Sequence, residues 1–352
     1  MSAPESVQVI ATTISGSLSD WAKVEKIVPL FRQHGHDEVE LQVVDSHPEA
    51  RERTRDLVAA GCRRVISAGG SGTFNSVLEG CIDSGVPLSQ TTLGFLRKGS
   101  ADLIGKVLGM PDEIDAAIAV FVESLEHEHT VGCDVIRVTT ERSDAPPRHF
   151  VGYSGAEIFG RVPHFTENRF TKYYKGVLSQ LFGDLGPFFV GASLAALERA
   201  FHLPGGGRRQ WSITVDGDLC STRSYSSITI VNGDLGPNLP LARGVSLDSG
   251  DFHVFALRDL GALRLPGQLK HGFDATILDD PDRWGLEHYR VRESLSLSAA
   301  GDSPFPVNVD GSTLTCHGSA LFSIVDTIRL MARADRAEPV ASSGRVHDAT
   351  RI

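Results

Sequence analysis

The chain has 352 residues, of which 41% are hydrophobic and 22% charged, and its formal net charge is −10. This is the composition of a globular protein long enough for two domains, and the acidic balance argues against a general nucleic-acid binder. The five cysteines form no C-x-x-C pair, which argues against a zinc site or a disulfide framework. Because the sequence has neither a leader pattern nor an apolar stretch long enough to cross a bilayer, we expect a cytoplasmic protein, at most peripheral to the inner face of a membrane.

The first 130 residues alternate between strand patterns and helix patterns. Apolar runs and helical spacings predict, in chain order, a strand over 7–11, a helix over 21–34, a strand over 40–44, a helix over 49–60, a strand ending before Gly69, a helix after it, a strand over 91–96 and a helix over 112–125. Such alternation is typical of a parallel sheet with helices on both faces, which binds ligands at the carboxyl ends of its strands. We therefore predict a Rossmann-like α/β domain over residues 1–130.

A glycine-rich turn, Gly69-Gly70-Ser71-Gly72-Thr73, separates an apolar run from a helical pattern. Glycines let backbone N–H groups approach an anion, and a helix N-terminus adds a partial positive charge. The spacing fits neither a Walker loop nor a dinucleotide fingerprint, and a serine nucleophile elbow would need glycine in place of Thr73. The turn thus indicates a phosphate site, with a glycine turn that merely packs a helix on its strand as the alternative.

The following strand brings Arg97, Lys98, Gly99 and Ser100 to the same end of the predicted sheet. Cationic side chains beside a glycine can neutralise phosphates. The alternative is two solvated bases on a surface loop.

From residue 131 the pattern changes to short alternating strands, which predict a mainly β domain over residues 131–337. These strands are expected over 134–139, 149–153, 211–215, 227–231, 251–257 and 293–297. Helical patterns near 172–201 interrupt them and indicate either core packing or an apolar entry for a lipid tail. The polar segment over 338–352 is expected to be disordered.

The glycine turn, continued by Phe74-Asn75, resembles the Gly-Gly-Asp-Gly-Thr-x-Asn motif of the diacylglycerol kinase catalytic family, which includes bacterial lipid kinases, sphingosine kinases and ceramide kinases. Residues 99–111 resemble the family's second glycine loop and its Leu-Gly-x-Pro, and later pieces, ending at Val309-Asp310-Gly311, follow in family order. The resemblance covers nearly the whole chain. It implies a nucleotide-binding α/β domain, a β-sandwich domain that receives the lipid, and an active site in the cleft between them.

The resemblance also implies roles for individual residues. ATP would bind with a divalent cation, Mg²⁺, whose protein ligands are not assigned. The nucleotide-binding residues would be Gly69, Gly70, Ser71, Gly72, Thr73, Asn75, Arg97, Lys98, Gly99 and Ser100. Asp310 and Asp102 are the candidates for the catalytic carboxylate, and Glu157 falls near the lipid head group. The alternatives are an Asp-Gly hairpin turn at Asp310 and a surface carboxylate at Glu157.

Several acids of the family motifs are replaced. Serines stand at four such positions, Ser71, Ser76, Ser249 and Ser312, and Asp102-Leu103 replaces an Asn-Asp pair. The first hypothesis is an ATP-dependent lipid kinase, with ceramide or a sphingoid base slightly preferred over diacylglycerol because the acids of the bacterial diacylglycerol kinases are the missing ones. The second is a catalytically inactive lipid- or nucleotide-binding relative. A third hypothesis is NAD kinase, but this sequence lacks the Asn-Glu substrate motif and the later Gly-Ser-Thr-Ala-Tyr stretch of that family.

Overall fold

The computed structural model describes residues 6–12, 24–97, 103–141, 146–166, 209–261, 263–273, 276–301 and 303–337. The predicted helical segment near 172–201 and the predicted tail lie outside these ranges. So do four predicted site residues, Lys98, Gly99, Ser100 and Asp102.

The N-terminal part alternates strands and helices, as the sequence predicts. In chain order its elements are β1 (Val7–Thr12), α1 (Ile27–Gln33), β2 (Val39–Val44), α2 (His47–Ala59), β3 (Arg64–Gly69), α3 (Ser71–Asp83), β4 (Thr92–Arg97), α4 (Leu103–Val107) and α5 (Ile114–His127). The first three residues of the helix predicted over 21–34 lie outside the described residues, and α1 accounts for its later part. Helix α2 begins two residues earlier than predicted, because the Ser46 side chain accepts the Glu49 N–H at 3.1 Å and so caps the helix.

The C-terminal part is mainly β. Its elements are β5 (Thr130–Thr140), β6 (Arg148–Phe150), β7 (Tyr153–Glu157), α6 (Ile158–Thr166), β8 (Trp211–Val215), β9 (Asp218–Arg223), β10 (Tyr225–Val231), β11 (Phe252–Arg258), α7 (Leu265–Phe273), α8 (Pro281–Trp284), β12 (Leu286–Val291), β13 (Leu295–Ala299), β14 (Phe305–Val309), β15 (Ser312–Cys316) and β16 (Ser319–Met331). The single strand predicted over 149–153 is wrong: β6 and β7 are separate, and the chain leaves the ladder at Val151 and Gly152.

Two sheets organise these elements. A ten-stranded sheet has the order β2-β1-β3-β4-β16-β13-β8-β9, with β5 beside β16 and β6 beside β5. A six-stranded antiparallel sheet has the order β12-β11-β10-β7-β14-β15. One buried apolar cluster packs around the parallel strands β1 to β4, and a second lies between the two sheets, centred on residues such as Trp211 and Phe305. The fold is thus the predicted combination of an α/β part and a β-sandwich.

Strand β16, with 13 residues, joins the two parts. It pairs with β5 along its length, with β13 at its first residues, and in parallel with β4 through Arg329 and Leu330. The predicted domain boundary after residue 130 falls at the first residue of β5, and one sheet continues across it. In the part of the chain that is described, no helix has the length and apolar character needed to span a membrane.

Candidate nucleotide and acceptor site

The glycine turn connects the central strand β3 to helix α3. β3 lies between β1 and β4, ends at Gly69, and pairs Gly69 with Arg97 at the end of β4. Gly70 is the N-cap of α3 with extended backbone angles, φ −95° and ψ −174°. The carboxyl edge of the parallel sheet therefore brings the turn and the backbone of Arg97 together, as the sequence predicts.

The three glycines of this turn have different surroundings. A Cβ atom on Gly69 would lie 2.4 Å from Oγ1 of Thr73, which is hydrogen-bonded to Oγ1 of Thr12 at 2.7 Å. A Cβ on Gly72 would lie 2.7 Å from Cε1 of His47. A Cβ on Gly70 would have no described atom within 4 Å, its chain neighbours aside. Gly69 thus serves close packing, and a Cβ on Gly72 would meet only the movable end of the His47 side chain. As far as the described residues go, open space for an anion lies at Gly70, beside the N-terminus of α3.

Asp310 and Gly311 form the two-residue turn between β14 and β15. Their φ angles, 42° and 85°, are both positive, as a tight hairpin of this kind requires. The Asp310 carboxylate is 5% exposed and accepts three backbone N–H groups, from Val151 at 3.0 Å, Gly152 at 3.2 Å and Tyr153 at 2.7 Å. These bonds turn the 151–153 backbone toward the carboxylate, which explains why the predicted single strand is split.

The electrostatics of Asp310 are unusual for an aspartate. Burial raises the pKa of its carboxyl to about 6, and the three N–H donors oppose that rise. Oδ2 accepts two of the N–H groups and Oδ1 accepts one, so Oδ1 retains an acceptor position. The carboxylate is therefore held in place and titrates close to neutrality, which suits a general base. Its catalytic role remains a prediction.

One polar stripe of α3 faces the β14–β15 turn and β6. Its members, Ser71, Asn75 and Glu79, are spaced four residues apart and so lie on one side of the helix. A Cβ on Gly311 would lie 3.1 Å from Oγ of Ser71, and Nδ2 of Asn75 donates to the Val309 carbonyl at 3.3 Å. Ser71 and Asn75, both predicted to bind the nucleotide, thus lie where α3 meets the second sheet.

Glu79 is a residue that the sequence reasoning missed. Its side chain is 3% exposed and accepts the His149 backbone N–H at 2.8 Å, with Nδ1 of His149 at 3.1 Å. Guanidinium nitrogens of Arg51 and Arg148 lie 3.6 and 3.7 Å from the same carboxylate. The available signal was an acid directly after the apolar residues Val77 and Leu78 on this helix. Because residue 149 lies two residues before the 151–153 segment, Glu79 helps to fix the backbone that holds Asp310.

An apolar pocket of about 90 Å³ lies on the outer face of the six-stranded sheet. Strands β10, β11 and β12, helices α6 and α7 and the loop at 239–241 form its walls, with Phe159, Leu241, Phe255, Leu257, Gln268 and Leu269 among the lining side chains. The Phe159 ring contacts that of Tyr153, with ring centroids 5.6 Å apart. The Tyr153 hydroxyl would lie 3.6 Å from a Cβ on Gly311. Gly311 and Tyr153 therefore lie between the glycine turn and the pocket.

Glu157, predicted near the lipid head group, ends β7 beside this pocket. Its Oε1 accepts the indole N–H of Trp211 at 2.8 Å, and its backbone is left-handed with φ 61°. The next residue, Ile158, lines the pocket. The structure thus places Glu157 at the end of β7 opposite Tyr153, next in the chain to the pocket, with its carboxylate bonded to Trp211; contact with a head group remains a prediction. Among the described residues, no group of three or more His, Cys, Asp or Glu side chains could hold a metal ion.

Comparison with known proteins connects this geometry to a family. Residues 6–136 match the family model described as the diacylglycerol kinase catalytic domain. The predicted resemblance to that family is confirmed. The match includes the glycine turn, α3 and the segment that carries the second glycine stretch.

Curated relatives match at low identity. A protein named "Probable lipid kinase YegS-like" from Chromohalobacter salexigens is 29% identical over 34% of this chain and 38% of its own length. A protein of the same name from Cronobacter sakazakii is 29% identical over 31% and 36%. The chain therefore matches little more than a third of the length of these two relatives. A diacylglycerol kinase from Staphylococcus saprophyticus is 20% identical over 70% of this chain and 69% of its own length.

Solved structures show the same fold over almost the whole chain. The crystal structure of a diacylglycerol kinase from Bacillus anthracis str. Sterne superposes with a TM-score of 0.62 and 16% identity, covering 95% of this chain and 98% of that one. The diacylglycerol kinase-like architecture thus extends beyond the residues that the family model matches.

Proposed function

We propose that the protein is an ATP-dependent lipid kinase, which transfers the γ-phosphate of ATP to a hydroxyl group of a lipid at a membrane surface. One observation carries the proposal: Ser71 of the glycine turn, Gly311, Tyr153 and Phe159 lie in succession between the open space at Gly70 and the apolar pocket. A phosphate-binding turn at one end and a pocket for hydrocarbon at the other are what a lipid kinase requires, with Asp310 located between them.

The phosphate end is formed by backbone. α3 has 13 residues, and its first N–H groups, with the partial positive charge of the helix end, are available beside Gly70. Residues Gly70 to Gly72 would hold the phosphates, and Arg97, Lys98, Gly99 and Ser100 are the predicted further contacts. Bound ATP would supply the phosphoryl group, and Mg²⁺ bound with it would offset the phosphate charge.

At the acceptor end, Asp310 is the group proposed to orient and deprotonate the lipid hydroxyl. The proton of the lipid hydroxyl would pass to Oδ1 of Asp310. The hydroxyl oxygen would attack the γ-phosphorus of ATP while the bond from that phosphorus to the β–γ bridging oxygen breaks and ADP leaves. A carboxyl with a pKa of about 6 is ionised at neutral pH and still basic enough for this step. Glu157 is proposed to contact the lipid head group from the end of β7.

The acceptor proposed first is ceramide or a sphingoid base, ahead of diacylglycerol. The support is the serine substitutions, since serines stand where the acids of bacterial diacylglycerol kinases are found. Two of them make local bonds: Ser76 donates to the Gly72 carbonyl at 2.9 Å and Ser312 to the Val309 carbonyl at 2.8 Å. Each bond lies within its own element, α3 or the β14–β15 hairpin, and the serines add no charge there.

The test is a radiolabelled ATP assay against ceramide, sphingosine, diacylglycerol and NAD presented in parallel. We expect label in at least one lipid and none in NAD. Label in diacylglycerol alone would overturn the proposed preference for ceramide or a sphingoid base, and the proposal of a lipid kinase would still hold. Binding of ATP and lipid without transfer to any acceptor would support the alternative, a catalytically inactive relative.

We expect Gly70→Val to fold normally and to weaken ATP binding at least about tenfold. Valine accepts the extended backbone of Gly70, and its side chain would fill the open space proposed for the phosphates. Calorimetric titration with ATP and a melting curve measure both effects. Gly69→Val is the contrasting variant, because its Cβ would lie 2.4 Å from Oγ1 and 2.6 Å from Cβ of the buried Thr73, and the melting temperature should fall. Unchanged ATP affinity in folded Gly70→Val protein would refute the phosphate site.

We expect Ser71→Asp to lower kcat rather than raise it. Ser71 lies against Gly311 at the first turn of α3, so the new carboxylate would stand beside both the proposed phosphates and the Asp310 turn. Ser71→Asn, which has nearly the same size without the charge, is the control and should reduce kcat less. A higher kcat for Ser71→Asp in a steady-state assay would show that Ser71 is a defect in the site.

A further inference from the structure

Two hydroxyl-bearing residues of β10, Ser227 and Thr229, line the apolar pocket. The alternation of the strand fixes the direction of both side chains, because the intervening Ile228 is fully buried in the cluster between the two sheets. Within the described part of the chain neither hydroxyl makes a hydrogen bond, and neither is among the buried polar atoms that lack a partner. Both hydroxyls are therefore accessible from the pocket.

Thr229 is the nearer of the two to the proposed site of phosphate transfer. Strands β7 and β10 pair so that Thr229 lies opposite Gly155, two residues along β7 from Tyr153. The Tyr153 backbone N–H donates to Oδ1 of Asp310 at 2.7 Å. Two residues of a strand span about 6.8 Å, so along the strand direction Thr229 lies one such step from Tyr153 and Ser227 lies two. An acceptor lipid bound at Asp310 would therefore reach Thr229 first.

The cross-strand neighbours of Thr229 bring no polar side chain next to it. Its partner on β11 is Phe255, which also lines the pocket. Its partner on β7 is Gly155, where a Cβ would lie 2.8 Å from Cδ1 of Phe159. Thr229 is 7% exposed, so an occupant made of hydrocarbon alone would cover its hydroxyl and leave it without a hydrogen bond, which is costly for a buried polar group. An occupant with a hydrogen-bonding group at this level of the pocket is favoured instead.

We propose that the Thr229 hydroxyl donates a hydrogen bond to an acyl carbonyl of the acceptor lipid, the ester or amide C=O attached to the carbon next to the one that bears the reacting hydroxyl. This inference rests on the proposed function, in which Asp310 takes the proton of that hydroxyl, and it narrows the substrate class. Acylated lipids are preferred over ether lipids, and ceramide over a free sphingoid base. One hydrogen bond of this kind corresponds to about a three- to tenfold preference in Kd.

The test measures lipid binding by the full-length protein without nucleotide, so the result does not depend on phosphate transfer. The probes are dioleoylglycerol, its diether analogue dioleylglycerol and the ceramide N-oleoylsphingosine, each at the same mole fraction in one type of mixed micelle. The diether keeps the hydroxyl and both chains of the ester lipid and lacks its carbonyls. We expect the ester lipid, the ceramide or both to bind about three- to tenfold more tightly than the diether. Equal affinities for all three lipids, or no binding of any, would overturn the proposal.

Two variants assign the preference to Thr229. Thr229→Val keeps the β-branched shape and removes the hydroxyl, so it should weaken binding of the preferred lipid about three- to tenfold without weakening that of the diether. Ser227→Ala removes the other hydroxyl of the pocket, one step further from Tyr153, and should keep the preference. Destabilisation of the fold would weaken all lipids alike, and a melting curve checks it. Wild-type affinities in folded Thr229→Val protein would overturn the assignment.

Phosphate transfer separates this proposal from the proposed kinase. Equal kcat/KM for the ester lipid, the diether and the ceramide would overturn the role of Thr229 and leave the kinase intact. A binding preference that Thr229→Val abolishes, in a protein that transfers no phosphate to any lipid, would support the role of Thr229 and refute the kinase.

Discussion

Asp310→Asn should lower kcat at least about a hundredfold, whereas Asp216→Asn should leave it near the wild-type value. Asparagine keeps the size of the side chain but cannot take the proton of the acceptor hydroxyl, and loss of a general base costs on the order of 10²–10⁴-fold in rate. ATP affinity should change little, because the carboxylate is proposed to act on the acceptor. Steady-state kinetics with saturating lipid, combined with calorimetry for ATP, measure the two effects separately.

Asp216 is a matched control because the chain builds the same cap twice. Asp216 and Gly217 form the β8–β9 turn with φ angles of 51° and 90°, and the Asp216 carboxylate accepts the N–H groups of Arg292, Glu293 and Ser294. Asp216 is exposed. Its slight burial raises the pKa of its carboxyl, but the three N–H groups together outweigh that effect and lower the pKa. Both aspartates lie in an Asp-Gly turn and accept three backbone N–H groups. A loss of turnover in Asp310→Asn alone would therefore reflect the buried location of Asp310 beside the glycine turn.

Retention of most turnover by folded Asp310→Asn protein would reduce Asp310 to a turn residue and leave Asp102 as the better candidate. Folding has to be checked, since asparagine offers one acceptor oxygen to three N–H groups. An unpaired buried N–H costs about 1–3 kcal/mol, which a melting curve would register.

The Asp310 carboxyl should also make stability depend on pH. Its folded pKa of about 6 lies above the ordinary value of 3.8, so between these pH values the folded state binds more protons than the unfolded chain. The contribution to stability is therefore complete below about pH 4 and is lost as pH rises through 6, by up to about 3 kcal/mol. Urea unfolding of wild type and Asp310→Asn at pH 4 and pH 7 should show the wild-type free energy falling relative to the variant. A constant difference would contradict the raised pKa.

Glu79→Ala is expected to lower the free energy of unfolding by about 1–3 kcal/mol, the typical cost of leaving a buried N–H without its acceptor. The His149 N–H would lose its acceptor, and Arg51 and Arg148, each about a third exposed, would lose a nearby carboxylate. The melting temperature should fall by roughly 2–6 °C. Because the 151–153 backbone begins two residues after His149, kcat should also fall in the protein that remains folded, with little change in ATP affinity.

Asp83→Ala and Glu79→Gln are the controls for this effect. Asp83 lies one turn further along α3 and forms an ion pair with Arg51, but its side chain is 33% exposed, so its removal should cost no more than about 1 kcal/mol. Glu79→Gln retains an oxygen for the His149 N–H and should lie between the two. If Glu79→Ala is as stable as Asp83→Ala, the buried carboxylate does not join α3 to β6 in the way described.

The alternation of the N-terminal part was predictable because each element carries its own local signal. Apolar runs mark β1 and β3, helical spacing marks α5, and glycines mark the turn before α3. The elements missed lack such a signal. β9 has mostly exposed, polar residues. In β16, which has 13 residues, buried and exposed positions alternate imperfectly because the strand has different neighbours along its length.

The site was predictable in its motifs but not in its contacts. The glycine turn and the Asp-Gly turn are visible in the sequence, and the structure brings Ser71 against Gly311. Which glycine faces open space depends on His47 and Thr73, and the buried state of Asp310 depends on a backbone segment more than 150 residues away. The role of Glu79 could not be predicted because its partner, His149, lies 70 residues away in the chain.

The position of β16 constrains the order in which this protein can fold during synthesis. β4 pairs with β3 on one side, and on the other side its partner is residues 329 and 330. A nascent chain that has emerged only as far as α5 therefore presents the backbone of β4 as an open sheet edge, the kind of surface that pairs with other chains. The α/β part thus depends on the last strand for closure, and a chain shortened before residue 319 should aggregate through β4 rather than fold as an independent nucleotide-binding unit.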